Sequence, residues 1–177
     1  MAETKHIQTP LSTADIAALR AGDSVLLSGV IYTARDAAHK RMTEQLVAGE
    51  DMPFDFDGAA VFYAGPSPTK PGDVIGSIGP TTSGRMDVYA PALMARGLRV
   101  MIGKGERNAA VVAAMQEHTG VYLAAIGGIA ALMSACITSA EVVAYDDLGT
   151  EAVRKLTVVD LPLVVAIDTS GASVYKG

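Results

Sequence analysis

The chain has 177 residues, 50% of them hydrophobic and 19% charged, with 14 Lys+Arg against 19 Asp+Glu for a formal net charge of −5. That apolar content excludes an intrinsically disordered chain, and the length fits a single domain over residues 1–177. The mildly acidic balance without a Lys/Arg-rich run argues against a nucleic-acid partner, and the one cysteine, Cys136, excludes an internal disulfide, an all-cysteine zinc site and an iron–sulfur cluster held by this chain alone.

In chain order, the opening MAETKHIQTP lacks the apolar run of a signal peptide, so a cytoplasmic location is expected. Ser12-Thr13-Ala14-Asp15 before IAALR, with Gly22 beyond it, has the form of a capped short helix. SVLLSGVIYTA at 24–34 predicts a strand whose Gly29 marks a bulge or a close backbone approach. Helical spacing of apolar and small residues predicts a helix from Asp36 to Val47, and GAAVFYAG at 58–65 a short buried strand. The Gly/Pro-dense stretch AGPSPTKPGDVIGSIGPTT, at 64–82, is longer than a simple connection and reads as functional or disordered. Beyond it, SGRMDVYAPALMARG predicts a helix, LRVMI a strand, ERNAAVVAAMQEH a helix and VYLAAI a strand.

The stretch 119–140 has no charged side chain and is long enough to cross a bilayer. It is nevertheless crowded with Ala, Gly and Ser, lacks basic flanks, and divides at Gly127-Gly128 into the strand VYLAAI and the helix IAALMSACI, so no membrane partner is expected. EVVAY at 141–145 and LPLVVAID at 161–168 complete the strands. Strand–helix alternation argues for an α/β domain, one compact layered unit of mostly parallel strands covered by helices.

Three cations stand at element junctions: Arg35 between a strand and a helix, Arg85 after the turn IGPTTSG, and Lys104 between two glycines after a strand. In open α/β sheets, ligands gather at the carboxyl ends of strands beside helix N-termini, which favour anions. Three cations there suit a small ligand with more than one carboxylate, gripped bidentately by Arg and completed by the point charge of Lys. Any one such cation is more often a solvated surface charge, and Gly103-x-Gly105 lacks the spacing of a dinucleotide or phosphate loop. His39 reads as a surface residue of its helix, His6 and His118 have no partner pattern, and Cys136 reads as a buried small hydrophobe. Asp36 and Asp87 read as helix-end or salt-bridge groups.

The strings SGVIYTARDAAHKR, AGP…IGPTTSGRMD, MIGKG, VYLAAIGGIAAL and LPLVVAIDTSG, in this order over nearly the whole chain, resemble the β-subunit of the iron–sulfur hydro-lyases, the family of class I fumarase and L(+)-tartrate dehydratase. The resemblance implies a swivelling α/β/β domain and the reversible hydration of fumarate to (S)-malate. It implies an α-subunit partner carrying three cysteines that hold a 4Fe–4S cluster with one iron open to substrate, and a higher assembly of α–β units. It maps the substrate-binding and catalytic groups of the β-part onto Arg35, Thr81, Arg85 and Lys104. The arginines would clamp carboxylates, Lys104 would complete the charge balance, and Thr81 would take part in proton transfer. A threonine hydroxyl is a very weak base, so that role requires a field that stabilises its anion or a neighbour that takes its proton.

ARDAAHKR and TTSGRMD lie nearer the fumarase versions of these motifs than the tartrate dehydratase ones, which favours fumarate as substrate. Ala34 and Ser83 are the departures, and a Ser83 hydroxyl at the site would favour a more oxygenated diacid such as tartrate. The alternative from another class is a non-catalytic dicarboxylate-binding module, against which Thr81-Thr82 beside Arg85 counts.

Overall fold

The computed structural model describes residues 4–125 and 130–175. In chain order they form β1 (Lys5–Gln8), α1 (Thr13–Ala17), β2 (Ser24–Thr33), α2 (Asp36–Val47), β3 (Ala60–Phe62), α3 (Ala90–Arg96), β4 (Val100–Gly103), α4 (Ala109–His118), β5 (Val121–Ala125), α5 (Ala130–Ala135), β6 (Ile137–Ala144) and β7 (Val153–Ile167). Short 3-10 turns at Ser83–Met86 and Asp146–Glu151 complete the described elements.

The strands form one sheet in the order β1-β2-β3-β4-β5-β7-β6, and an additional β2–β7 pairing closes β2, β3, β4, β5 and β7 into a ring. Pairings among β1 to β5 are parallel, whereas β7 runs antiparallel to β2, β5 and β6. The sheet is therefore mixed, its parallel part built from the strand–helix alternation and its antiparallel part from the C-terminal strands.

The two-residue period of the strands sorts their side chains into two buried clusters. Ala60, Phe62, Val100, Ile102, Val121 and Leu123 join Leu27, Ile31, Leu163 and Val165 inside the ring. Val61, Met101 and Tyr122, which stand side by side in register, face outward and pack on Met42, Leu93, Met94 and Met115 of α2, α3 and α4. Each fully buried large side chain contributes about 1.5–3 kcal/mol, so both faces of the parallel strands supply folding energy.

Local chemistry sets the element ends. The Ser12 hydroxyl accepts from the Asp15 N–H at 3.1 Å and the Asp15 carboxylate from the Ser12 N–H at 3.2 Å, a reciprocal capping box that starts α1. Gly29 has φ +108° at a register shift in β2, and a side chain there would strike Thr9, whose hydroxyl donates to Val30 O at 2.7 Å. The helix expected over 83–97 is broken: a 3-10 turn at Ser83–Met86 precedes α3, because Pro91 fits the first turn of a helix but not its interior. β7 starts at Val153 rather than 161, since Val153, Leu156 and Val158 are already buried. The uncharged stretch 119–140 contains β5, α5 and the start of β6; its division at Gly127-Gly128 lies outside the described residues. Among the described residues no helix is long and apolar enough to cross a membrane.

Candidate active site

β2, β3 and β4 are parallel neighbours, so their carboxyl ends open on the same side of the sheet. Arg35 follows β2 as the extended residue before α2, and the preceding Ala34 N–H donates to Phe62 O at 3.0 Å, holding this exit against β3. After β3, Gly65 has no room for a side chain: a Cβ there would sit 2.5 Å from Thr150 O and 3.1 Å from Arg35 Cδ, in the space that the Arg35 stem passes. The Arg35 Nε is buried without a hydrogen-bond partner among the described residues, a donor left for something outside them.

The loop expected to be functional or disordered is ordered by packing. Ile75 and Ile78 are buried in the inner core, the Ile78 N–H donates to Ser134 Oγ at 3.2 Å, and Gly76 passes so close to Ser67 O that any side chain would overlap it. The loop thereby returns the chain across the strand ends. Pro80 bridges Ala64, the Thr81 N–H donates to Tyr63 O at 2.7 Å, Thr82 bridges Lys104, and the Ser83 N–H donates to Lys104 O at 2.9 Å. Thr81 and Lys104 thus come to lie beside the exits of β3 and β4 through backbone pairing.

Arg85, on the 3-10 turn, reaches back over this platform. Its Nη2 donates to Thr81 Oγ1, its Nε donates to Asp36 Oδ2 at 2.8 Å, and Nη2 also reaches Asp36 Oδ1 at 3.4 Å. The pair is open to solvent, with side chains 47% and 39% exposed. Partial burial alone would raise the Asp36 carboxyl, but the Arg85 guanidinium outweighs it and holds the carboxyl below its ordinary value; Asp36 in turn raises Arg85. Lys104 is exposed and its Nζ has no partner among the described residues. Of the four residues mapped from sequence, Thr81 and Arg85 are in contact, with Asp36 as an added member, while Arg35 and Lys104 stand at the exits of β2 and β4. As expected, Asp36 and Asp87 are salt-bridge groups.

Beneath this face lies a buried polar layer that the sequence did not disclose. Arg107, fully buried, donates from Nε to Asp87 Oδ1 at 2.6 Å and from Nη2 to the Tyr63 hydroxyl at 3.2 Å, and its guanidinium stacks over the rings of Tyr63 and Tyr122. Asp87 also accepts the Asn108 N–H at 2.7 Å. The Tyr122 hydroxyl donates to Gly105 O at 2.8 Å and accepts from Ser83 Oγ at 2.7 Å. This layer fastens the turn carrying Arg85 to the loop carrying Lys104.

Two expectations are corrected here. The Ser83 hydroxyl does not face the site; it is fully buried and spent on Tyr122, so it gives no reason to favour an oxygenated diacid. His39 is not on the surface but wholly buried against Tyr63 and Tyr89, its Nδ1 donating to Arg35 O at 2.9 Å and its Nε2 without a partner among the described residues. Cys136 is half-buried against the inner core, where burial and the Asp160 charge push its thiol up. With one cysteine in the chain, and no group of three or more His, Cys, Asp or Glu set to hold a metal ion among the described residues, this chain does not fit an iron–sulfur cluster.

The family model described as Fumarase C-terminus matches residues 2–177. "Fumarate hydratase class I, aerobic" of Escherichia coli (strain K12) is 40% identical over 152 residues, covering 85% of this chain and 28% of that protein. "Putative fumarate hydratase class I" of Geobacillus stearothermophilus is 36% identical over 175 residues, 96% of this chain and 33% of that protein. "Putative L(+)-tartrate dehydratase subunit beta" of Methanocaldococcus jannaschii is 40% identical over 172 residues, 94% of this chain and 88% of that protein. The chain thus spans about a third or less of these two fumarate hydratases but most of the tartrate dehydratase subunit.

Proposed function

The chain belongs to the fumarase C-terminus family, and on that premise we propose that it is the β-part of an iron–sulfur-dependent hydro-lyase that hydrates fumarate reversibly to (S)-malate. The observation that carries the reading is the contact of Arg85 with Thr81 on a face that also bears Arg35 and Lys104. Three cations against the carboxylates of Asp36 and the neighbouring Glu151 leave the face net positive, the sign that a dicarboxylate requires. Arg35 and Arg85 are suited to grip carboxylates by their planar forks, and Lys104 adds charge.

Hydration adds hydroxide to one olefinic carbon and a proton to the other. Thr81 is the proposed proton carrier at the second carbon. Its oxygen accepts a hydrogen bond from a cation, which favours the anion over the neutral hydroxyl and answers the weakness of threonine as a base. The cluster, for which this chain lacks ligands, belongs in this proposal to an α-subunit, and the domain swivels to close its open face over the substrate between the two. A cytoplasmic α–β assembly is part of the same proposal.

A second reading is the β-subunit of an L(+)-tartrate dehydratase that converts tartrate to oxaloacetate and water, supported by the 40% identity over 172 residues to the protein named as such a subunit. The test is to assay the chain alone and with a cysteine-bearing α-subunit, on fumarate by loss of ultraviolet absorbance and on tartrate by oxaloacetate formation. The expected outcome is no turnover alone and a higher kcat/KM for fumarate in the complex. Turnover by the chain alone would overturn the two-part reading, and a preference for tartrate would select the second.

A further inference from the structure

We infer that Asp36 is a positioning residue of this site, holding the Arg85 guanidinium by its Nε edge so that Nη2 stays on the Thr81 oxygen; the inference rests on the site reading proposed above. Arg85 sits on a short 3-10 turn, with a long, nearly half-exposed side chain whose hydrogen bonds among the described residues, apart from that to Thr81, all go to Asp36. A free arginine in that position would sample many rotamers. The Asp36 carboxylate, 49 residues away in sequence, takes both Nε and Nη2 from the side, leaving Nη1 without a partner among the described residues.

Asp36 is itself anchored. It opens the twelve-residue α2, whose first turn is tied from outside by Glu151, whose Oε1 accepts the Ala37 N–H at 3.0 Å, and from within by the buried His39, which donates to Arg35 O at 2.9 Å. The order of support therefore runs from the α2 N-terminus to Asp36, from Asp36 to Arg85, and from Arg85 to Thr81. Asp36 also serves the electrostatics, because an acidic residue in the first turn of a helix is favoured in its charged form. A carboxylate that merely complemented the helix would not need to align with a guanidinium on another element.

The test is made in the assembled α–β enzyme, with rates expressed per intact cluster. Asp36→Asn keeps the shape and removes the charge, and it is expected to lower kcat about tenfold or more while KM for fumarate stays within about threefold. Asp36→Glu, which restores a carboxylate, is expected to recover most of the loss. In an Arg85→Ala background, Asp36→Asn is expected to add nothing, since the two act as a unit. Unchanged kcat in Asp36→Asn, or a lower KM with unchanged kcat, would overturn the inference, the second by showing that Asp36 competes with substrate for Arg85. Full turnover by Arg85→Ala would overturn the site reading itself, whereas a crippled Arg85→Ala beside a normal Asp36→Asn would remove only the role of Asp36.

Discussion

Thr81 and Thr82 are adjacent, yet the structure gives their hydroxyls different surroundings. Thr81 Oγ1 accepts from Arg85, whereas Thr82 is exposed and, although it precedes the 3-10 turn, makes no side-chain cap. Thr81→Val is therefore expected to lower kcat by at least about 10²-fold in the assembled enzyme with a much smaller change in KM, the scale of a lost acid–base group. Thr82→Val should alter stability by no more than about 0.5 kcal/mol, as a surface change without a lost contact. Normal turnover in the Thr81 variant would move proton transfer to the partner. At this scale, the placement of Arg35 and Lys104 just beyond strands and of Arg85 on the turn after the 64–82 loop was legible, because each directly follows an apolar run or a glycine-rich turn. The burial of His39 was legible too, in a signal passed over: it stands three residues before Met42 and seven before Leu46, on the apolar face of α2. Ser83 and Arg107 carried no such signal, since their partners, Tyr122 and Asp87, come from other elements.

The elements that build the site are short and depend on the buried layer for their geometry. Arg107 and Asp87 join the turn after Thr81 to the start of α4, and removing one partner of a buried pair strands the other charge. Arg107→Met should destabilise the domain by about 3–5 kcal/mol, and adding Asp87→Leu should recover part of that loss. Urea unfolding checks this: the midpoint should fall in the single variant and rise again in the double, at constant slope. A double variant less stable than the single would mean that Asp87 serves chiefly to bind the Asn108 N–H. Helices and strands were legible from periodicity where one apolar face dominates, as in α2 and β2. Boundaries failed where another force intervened. Pro91 delays α3, and the charged Arg154 and Lys155 conceal the first half of β7, whose Val153, Leu156 and Val158 are buried. The 64–82 stretch read as functional or disordered because it is long and dense in Gly and Pro, but Ile75 and Ile78 pin it to the core.

Across the whole molecule, ring closure was the least legible feature, because β2 and β7 lie more than a hundred residues apart and a sequence reveals strands more readily than their partners. Closure encloses one core and seals the other under helices, and the second core contains His39. Burial pushes the His39 imidazole down to about 4, the Arg35 carbonyl raises it less, and the Arg107 charge lowers it further. Its unfolded value is 6.5, so between those limits the unfolded chain binds a proton that the folded one refuses. Stability supplied by the neutral buried ring is full above pH 6.5 and is lost as pH falls towards 4, by up to about 1.4 kcal/mol per pH unit. Asp168 adds a second loss in stronger acid. Burial alone would raise its carboxyl, but hydrogen bonds from Ser170, Ala21 and Ala172 hold it below 3.8, so its contribution is present above that value and fades below it. The two losses are separable by pH and by mutation. His39→Gln cannot titrate; it should be less stable than the wild type at pH 7, yet lose less stability between pH 6.5 and 5, so the two unfolding free energies converge. Parallel curves over that interval would mean that the folded protein admits a protonated His39, and that the second core is open to water in solution.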